Sequence, residues 1–428
     1  MKVHIRGGRI LDPSLGVDQR ADLWIEDGRV LAILGPKDSP PSRPDRLLDA
    51  SGAVVSPGFV DLHTHLREPG QTEQEDIGSA TKAAVAGGFT SVLAMPNTDP
   101  VNDSAEVTRF ILERARLTAR CKVFPVGAVS KGLRGEALSP MRELKEAGCK
   151  AFSDDGRPIN DAHFLRQALL SVAALDSVLM EHCEEAELSR GPTIHPDPVA
   201  ESLGLAGIPR SAETVDVART LALAAETGAR THLCHISCAA SVELIRAFKP
   251  LGRVTAEVAP HHLLLTVDAI RDCGTNAKMY PPLRSDEDRH ALRLGLADGT
   301  LDAVATDHAP HTREEKSRCF PDAPNGIIGL ETALPVLLTL VHDGAISLNR
   351  LVECLTVRPA RIAGLESGTL APGSPADVVI FTPDEPHVIQ EEDFFSKSRN
   401  TPFLGFRGRG RVVATLVNGL QVYPKDER

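Results

Sequence analysis

The apolar positions of the chain change rhythm twice. Over roughly the first fifty residues, short alternating runs (VHIRGGRI, then ADLWIEDGRVLAIL) are separated by turn residues, with Asp27-Gly28 suited to a tight hairpin. From FVDLHTHL onward, near-continuous apolar runs of strand length alternate with glycine-punctuated amphipathic stretches such as DIGSATKAAVAGG. This pattern predicts buried parallel strands joined by helices. After about Gly364 the first rhythm returns in GTLAPGSPADVVIF and GRVVATLVNGLQVY.

Eight of the buried runs end abruptly in polar residues: FVDLHTH, TSVLAMPN, KVFPVGAVS, KAFSDD, SVLMEH, RTHLCHIS, RVTAEVAPHH and DAVATDHAPH. Eight such units predict a closed TIM (β/α)8 barrel rather than an open sheet. The barrel is expected over residues 57–364, with residues 1–56 and 365–428 together forming a small β-sandwich domain. A length of 428 residues suits one large catalytic domain and a smaller satellite.

Charge and composition narrow the function. A formal charge of −11 argues against nucleic acid or an anionic membrane as partner, since both need clustered Lys and Arg. No signal-like amino terminus and no apolar run of about 18 residues occurs, so a cytoplasmic location is expected. The eight cysteines include no CxxC pair and read as reduced core thiols, although Cys234 and Cys238 flank a histidine of interest.

In a TIM barrel the carboxyl ends of the strands converge on the active site. His63 and His65 close the first strand, and residues two apart on a strand share a face, so both imidazoles can reach one ion. HxH alone fits a chance pair of core histidines equally well. Asp155, His182, His235 and Asp307 close strands four, five, six and eight. Six such groups exceed one tetrahedral zinc but fit two ions bridged by a carboxylate and a hydroxide. That is a centre for amide hydrolysis, and Asp307 on the last strand is placed to shuttle a proton. Asp154 reads as a turn residue, and His232, His261 and His262 as packing or supporting residues.

The stretches VSPGFVDLHTHLREPG, AAVAGGFTSVLAMPNTDP, KAFSDDG, MEHCEE, CHIS, EVAPHHLLLT, YPPLR and ATDHAPH, with GIIGLETALP after them, resemble the bacterial type I dihydroorotases of the amidohydrolase superfamily over nearly the whole chain. The resemblance implies two Zn2+ ions, one on His63, His65, Asp155 and Asp307, the other on Asp155, His182 and His235, with Asp155 and a hydroxide as bridges. It implies Asp307 as general acid/base, Arg67, Asn97 and His311 as contacts to the substrate carboxylate and ring, and Asn325 and Gly326 as backbone contacts. Arg67 can meet a carboxylate with two parallel hydrogen bonds, its bland alternative being a surface ion pair. Asn97 also suits a turn.

The implied reaction is the reversible cyclisation of N-carbamoyl-L-aspartate to L-dihydroorotate in pyrimidine synthesis. A homo-oligomer and a complex with aspartate carbamoyltransferase are further expectations. Two alternatives stand beside it: an allantoinase or hydantoinase acting on a neutral ring, and a non-catalytic dihydroorotase-like subunit of a transcarbamoylase complex. Two departures bear on them. Tyr280 opens YPPLR where the family has Asn, and Lys150 lies in KAFSDD near the position where hydantoinases carry a bridging carboxylated lysine. Lys150 and Asp155 are five apart, on opposite faces of a regular strand, and SDDG favours Asp155. Finally, the long polar segment HTREEKSRCFPDAPNG suits a mobile lid over the substrate.

Overall fold

A computed structural model describes residues 1–35 and 37–424. The eight apolar runs all become strands of one parallel sheet: Phe59–Thr64, Phe89–Ala94, Lys122–Gly127, Ala151–Phe152, Val178–Glu181, Arg230–Leu233, Val254–Val258 and Ala303–Val304, adjacent in chain order. The sheet closes where Thr64 bridges His308 and the His65 amide donates to the His308 carbonyl at 2.9 Å. Asp61 reinforces this seam from inside, accepting from the Thr306 hydroxyl at 2.6 Å and from the His63 amide at 3.1 Å. Strands four and eight are only two residues long, because the chain leaves the ladder early into the loops that carry Asp155 and Asp307.

The helices form where the sequence supplies both an apolar stripe and a cap. Ile77–Ala86 starts on Asp76 and Asp286–Asp298 on Ser285, each with a reciprocal capping box. Their buried faces (Ile77, Ala80 and Ala84 in one, Leu292 and Leu296 in the other) pack into one apolar cluster with the outward faces of the strands. Inside the barrel, Leu62, Leu93, Val126 and Met180 fill the floor beneath the polar rim.

Both ends of the chain share a second sheet. Val54–Pro57 pairs antiparallel with Val378–Val388 and parallel with Lys2–Asp12, and Arg407–Val417 and Leu420–Tyr423 extend the far edge. Asp27 (φ 49°) and Gly28 (φ 80°) make the left-handed hairpin turn between Val17–Glu26 and Arg29–Leu34. Val3, Ile5, Leu23, Ile25, Val55, Val378 and Leu416 form this sheet's own apolar cluster.

The second sheet is seated on the barrel through aromatic contacts: Phe59 lies 5.7 Å from Phe89 and 6.0 Å from Phe381, ring to ring, all fully buried. Lys122 reaches from the third barrel strand to the buried Asp377 at 2.6 Å. Among the described residues no helix is long and apolar enough to cross a membrane. Phe381→Ala is expected to lower the unfolding free energy by about 3–5 kcal/mol, because the hole opens where two rigid units meet and cannot collapse. Denaturant unfolding checks this, and a loss under about 1 kcal/mol contradicts a shared core.

Candidate active site

The rim at the carboxyl ends of the strands brings together all six residues that strand-end reasoning singled out. His63 Nε2 lies 3.2 Å from Asp155 Oδ1 and 3.6 Å from Asp307 Oδ1. His65 Nε2 lies 3.3 Å from Asp307 Oδ1 and 3.6 Å from Asp155 Oδ2. On the other side of Asp155, His235 Nε2 stands at 3.5 Å and His182 Nδ1 at 3.7 Å from Oδ1, with the two ring nitrogens 3.0 Å apart. Asp155 thus lies within 3.7 Å of all four imidazoles. The backbone is bent to achieve it: of seven non-glycine residues with positive φ among the described residues, Arg67 (59°), His235 (33°) and Asp307 (49°) are in this site. Strain of this kind persists where surrounding structure over-determines it.

Three of the four imidazoles are aimed by a partner on the outer nitrogen, whereas His235 Nδ1 is buried without one. His65 Nδ1 donates to Asn97 Oδ1 at 2.9 Å, and His182 Nε2 stands 3.4 Å from Glu184 Oε2. His63 Nδ1 lies 3.3 Å from Glu257 Oε1, and the other oxygen of Glu257 lies 3.0 Å from His232 Nε2. These last contacts have ion-pair distances but not hydrogen-bond angles, so the four atoms also count as buried without a hydrogen-bond partner. In these three the inner nitrogen is left facing the carboxylates, as ligand histidines are held in metal sites.

Does this donor set fit a metal? His63 Nε2 and Asp155 Oδ1, at the centre of the cluster, are buried and have no hydrogen-bond partner. Separations of 3.0–3.7 Å between donor atoms match the edge of a tetrahedron, about 3.4 Å for bonds of about 2.1 Å. The charge balance points the same way. Burial alone would push Asp155 and Asp307 up and His63 and His182 down, yet the mutual attraction wins: both aspartates fall below the ordinary carboxylate range and His182 rises to about 10. Cations are demanded here, supplied by protons or by metal ions. Two triads fit an ion, His63–Asp155–His235 and His63–His65–Asp307. A third grouping, His63–Cys234–Glu257, draws on the carboxylate 3.3 Å from His63 Nδ1, and burial pushes its Cys234 thiol up.

The cluster opens into a cavity of about 240 Å³ lined also by Arg67, Asn97, Tyr280, His311 and Asn325. A larger cavity of about 500 Å³, beside helix Ala333–His342 and the second sheet, contains none of these residues. Arg67 is buried, donates to the Pro310 carbonyl at 3.2 Å, and among the described residues has no carboxylate partner. Burial lowers it only to about 10, so it stays charged. His311 Nε2 donates to the Asn325 carbonyl at 2.8 Å, and burial together with the Arg67 charge keeps the ring neutral.

Several expectations change in detail. Asn97 faces the cavity, but its oxygen is already committed to orienting His65. Gly326 is not open as a contact: its amide donates to the Lys278 carbonyl at 3.0 Å and its own carbonyl accepts from Lys316 and Asn400. Asn325 lines the cavity in its place. The Tyr280 ring lies tilted 4.7 Å from the His182 ring, and its phenol is pushed up by burial and by the nearby Glu184 charge. Lys150 is exposed, 5.9 Å above the Phe124 ring, on the far side of the short fourth strand from Asp155. Asp154 is the turn residue expected, accepting from the Val129 and Ser130 amides at 2.8 and 2.9 Å. The sequence reading passed over Glu257, a fully buried acid on the strand Val254–Val258.

If Glu257 aims His63, then Glu257→Gln lowers metal affinity about 10–100-fold. Chelator competition on the purified variant checks this, and unchanged affinity would show that His63 needs no such support.

Comparison with known proteins agrees with this geometry. Residues 52–241 match the family model described as dihydro-orotase-like. The chain is 47% identical over 427 residues to the dihydroorotase of Syntrophus aciditrophicus and 48% identical over 427 residues to that of Geotalea daltonii, covering all of both chains in each case. Among solved structures it resembles the L-hydantoinase (dihydropyrimidinase) of Arthrobacter aurescens, with a TM-score of 0.88 at 28% identity, covering 98% of this chain and 95% of that one. A strand-end cluster of this composition and full-length identity approaching one half place the chain in the dihydroorotase family of cyclic amide hydrolases.

Proposed function

We propose that the protein catalyses the reversible closure of N-carbamoyl-L-aspartate to L-dihydroorotate, with two zinc ions held by His63, His65, Asp155 and Asp307 on one side and Asp155, His182 and His235 on the other. The observation that carries the substrate is Arg67, a buried guanidinium with no carboxylate partner among the described residues, facing the same cavity as the cluster. A ring bearing a carboxylate supplies the missing anion, and a planar fork can meet it with two parallel hydrogen bonds. Hydantoin and allantoin rings do not require such a group.

Bound zinc would make a water acidic enough to ionise near neutral pH and would polarise the carbonyl under attack. The chain's own residues do the rest. Arg67 and the Asn325 edge of the cavity orient the ring so that its amide faces Asp155. Asp307 accepts the proton of the attacking water and returns it to the ring nitrogen as the C–N bond breaks; in the direction of synthesis it takes the proton from the carbamoyl nitrogen. His311 donates to the Asn325 carbonyl, and burial beside the Arg67 charge disfavours a proton on its other nitrogen. Tyr280, protonated because burial and then Glu184 raise its phenol, closes the side of the cavity next to His182. A homo-oligomer, and association with a transcarbamoylase that makes the open-chain substrate, belong to the same reading.

Turnover of L-dihydroorotate beside dihydrouracil and allantoin tests it, with dihydroorotate alone expected to react; activity on a neutral ring only would mean that Tyr280 has redirected the pocket. Asp307→Asn is expected to lower kcat about 10²–10⁴-fold. Arg67→Met is expected to raise KM for dihydroorotate by about 10–100-fold while leaving bound metal unchanged. Steady-state kinetics with elemental analysis separates the two, and a kcat loss in Arg67→Met without a KM change would contradict the carboxylate contact.

A further inference from the structure

The segment after the eighth strand, residues 311–326, is long and polar, and from sequence it suits a lid. Its structure is different. Lys278 and Lys316 are both buried, 3% and 5% exposed. Neither has an ion-pair partner among the described residues within 4 Å. Lys278 Nζ donates to the carbonyls of Phe320, Pro321 and Ala323 at 2.6, 3.1 and 2.6 Å. Lys316 Nζ donates to the carbonyls of Pro324, Gly326 and Lys278 at 3.0, 3.1 and 3.4 Å. An ammonium has three N–H donors, so six carbonyls match two protonated lysines with every donor used, a match that opposes the burial and Lys278 charge that pull Lys316 down to about 7.

A buried charge is costly unless its hydrogen bonds are replaced in full, and a buried loop is costly unless its carbonyls find donors. Each problem here answers the other. Three of the six acceptors belong to Phe320, Pro321 and Ala323, where the chain forms no regular structure and offers no amide ladder of its own. Two more, Pro324 and Gly326, flank Asn325 directly. Asn325 is the residue whose carbonyl accepts from His311 and which lines the cavity. The lysines also interlock, since Lys316 donates to the carbonyl of Lys278 and that same carbonyl accepts from the Gly326 amide. Asn400 adds a third anchor through Gly326 at 3.0 Å.

We propose that Lys278 and Lys316 are positioning residues that latch residues 317–326 into a fixed wall of the cavity, setting Asn325 and His311 for the substrate in advance of its arrival. Neither lysine touches the metal cluster or the reacting atoms. The latch therefore acts on substrate binding: an ordered wall lowers the conformational cost of closing the complex. The substrate in this statement rests on the dihydroorotase reading, but the latch itself does not.

The test is hydrogen–deuterium exchange of the ligand-free, metal-loaded protein, followed by the same measurement and steady-state kinetics on Lys316→Met. Expected for the wild type is slow exchange across residues 317–326 that dihydroorotate changes little. Expected for Lys316→Met is exchange there at least about tenfold faster, a KM for dihydroorotate about tenfold higher, kcat within about threefold, and unchanged metal content. Fast exchange in the wild type that slows on adding dihydroorotate would establish a lid and overturn the latch. So would Lys316→Met with wild-type exchange and KM. Lys278→Met serves if Lys316→Met does not fold, with the same expected and overturning results. A protein inert towards dihydroorotate but slow to exchange in this segment would refute the substrate and leave the latch standing.

Discussion

Asp155 sits where two pairs of imidazoles converge, and its charge cannot be left alone. Four buried carboxylates, Asp155, Asp307, Glu184 and Glu257, surround His63, His65, His182 and His235. Anions packed this closely, out of water, repel one another strongly unless cations lie between them. That demand explains why the inner nitrogen of each histidine is turned inward and why three residues of the site accept a left-handed backbone. A metal centre relieves it, and the donor spacings have the size such a centre needs.

The barrel delivers this arrangement cheaply in sequence. Parallel strands end on one rim, so single residues at positions far apart along the chain become neighbours without any dedicated loop architecture. The seam between the first and last strands matters most, because His63 and His65 come from one side of it and Asp307 from the other. Asp61 and Thr306 close that seam one layer below the cluster. The supporting layer is equally specific: Asn97, Glu184 and Glu257 each serve one histidine, while Glu257 in turn meets His232 and, through it, Thr255 at 2.9 Å.

What could be read from the sequence follows from how local each signal is. All eight barrel strands were legible because a buried parallel strand is an unbroken apolar run, and its polar ending marks the rim. The six cluster residues were legible for the same reason. Lys150 was rightly set aside, though the cause is the brevity of strand four rather than the alternation of faces. Glu257 and the role of Asn97 were not legible, since both depend on which ring nitrogen a residue from another strand happens to meet. Lys278 and Lys316 were hidden more deeply: their partners are backbone carbonyls, which carry no sequence signature, so nothing in the residues of this polar loop announced the six bonds made to it and its neighbours.

The most direct measurement is metal stoichiometry by elemental analysis on the purified protein and on Asp155→Ala. Two equivalents of zinc in the wild type, falling below one in the variant, are expected of a carboxylate shared by both halves of the cluster. Full turnover by a wild-type protein free of bound metal, or a variant that keeps both ions, would contradict the central role given to Asp155.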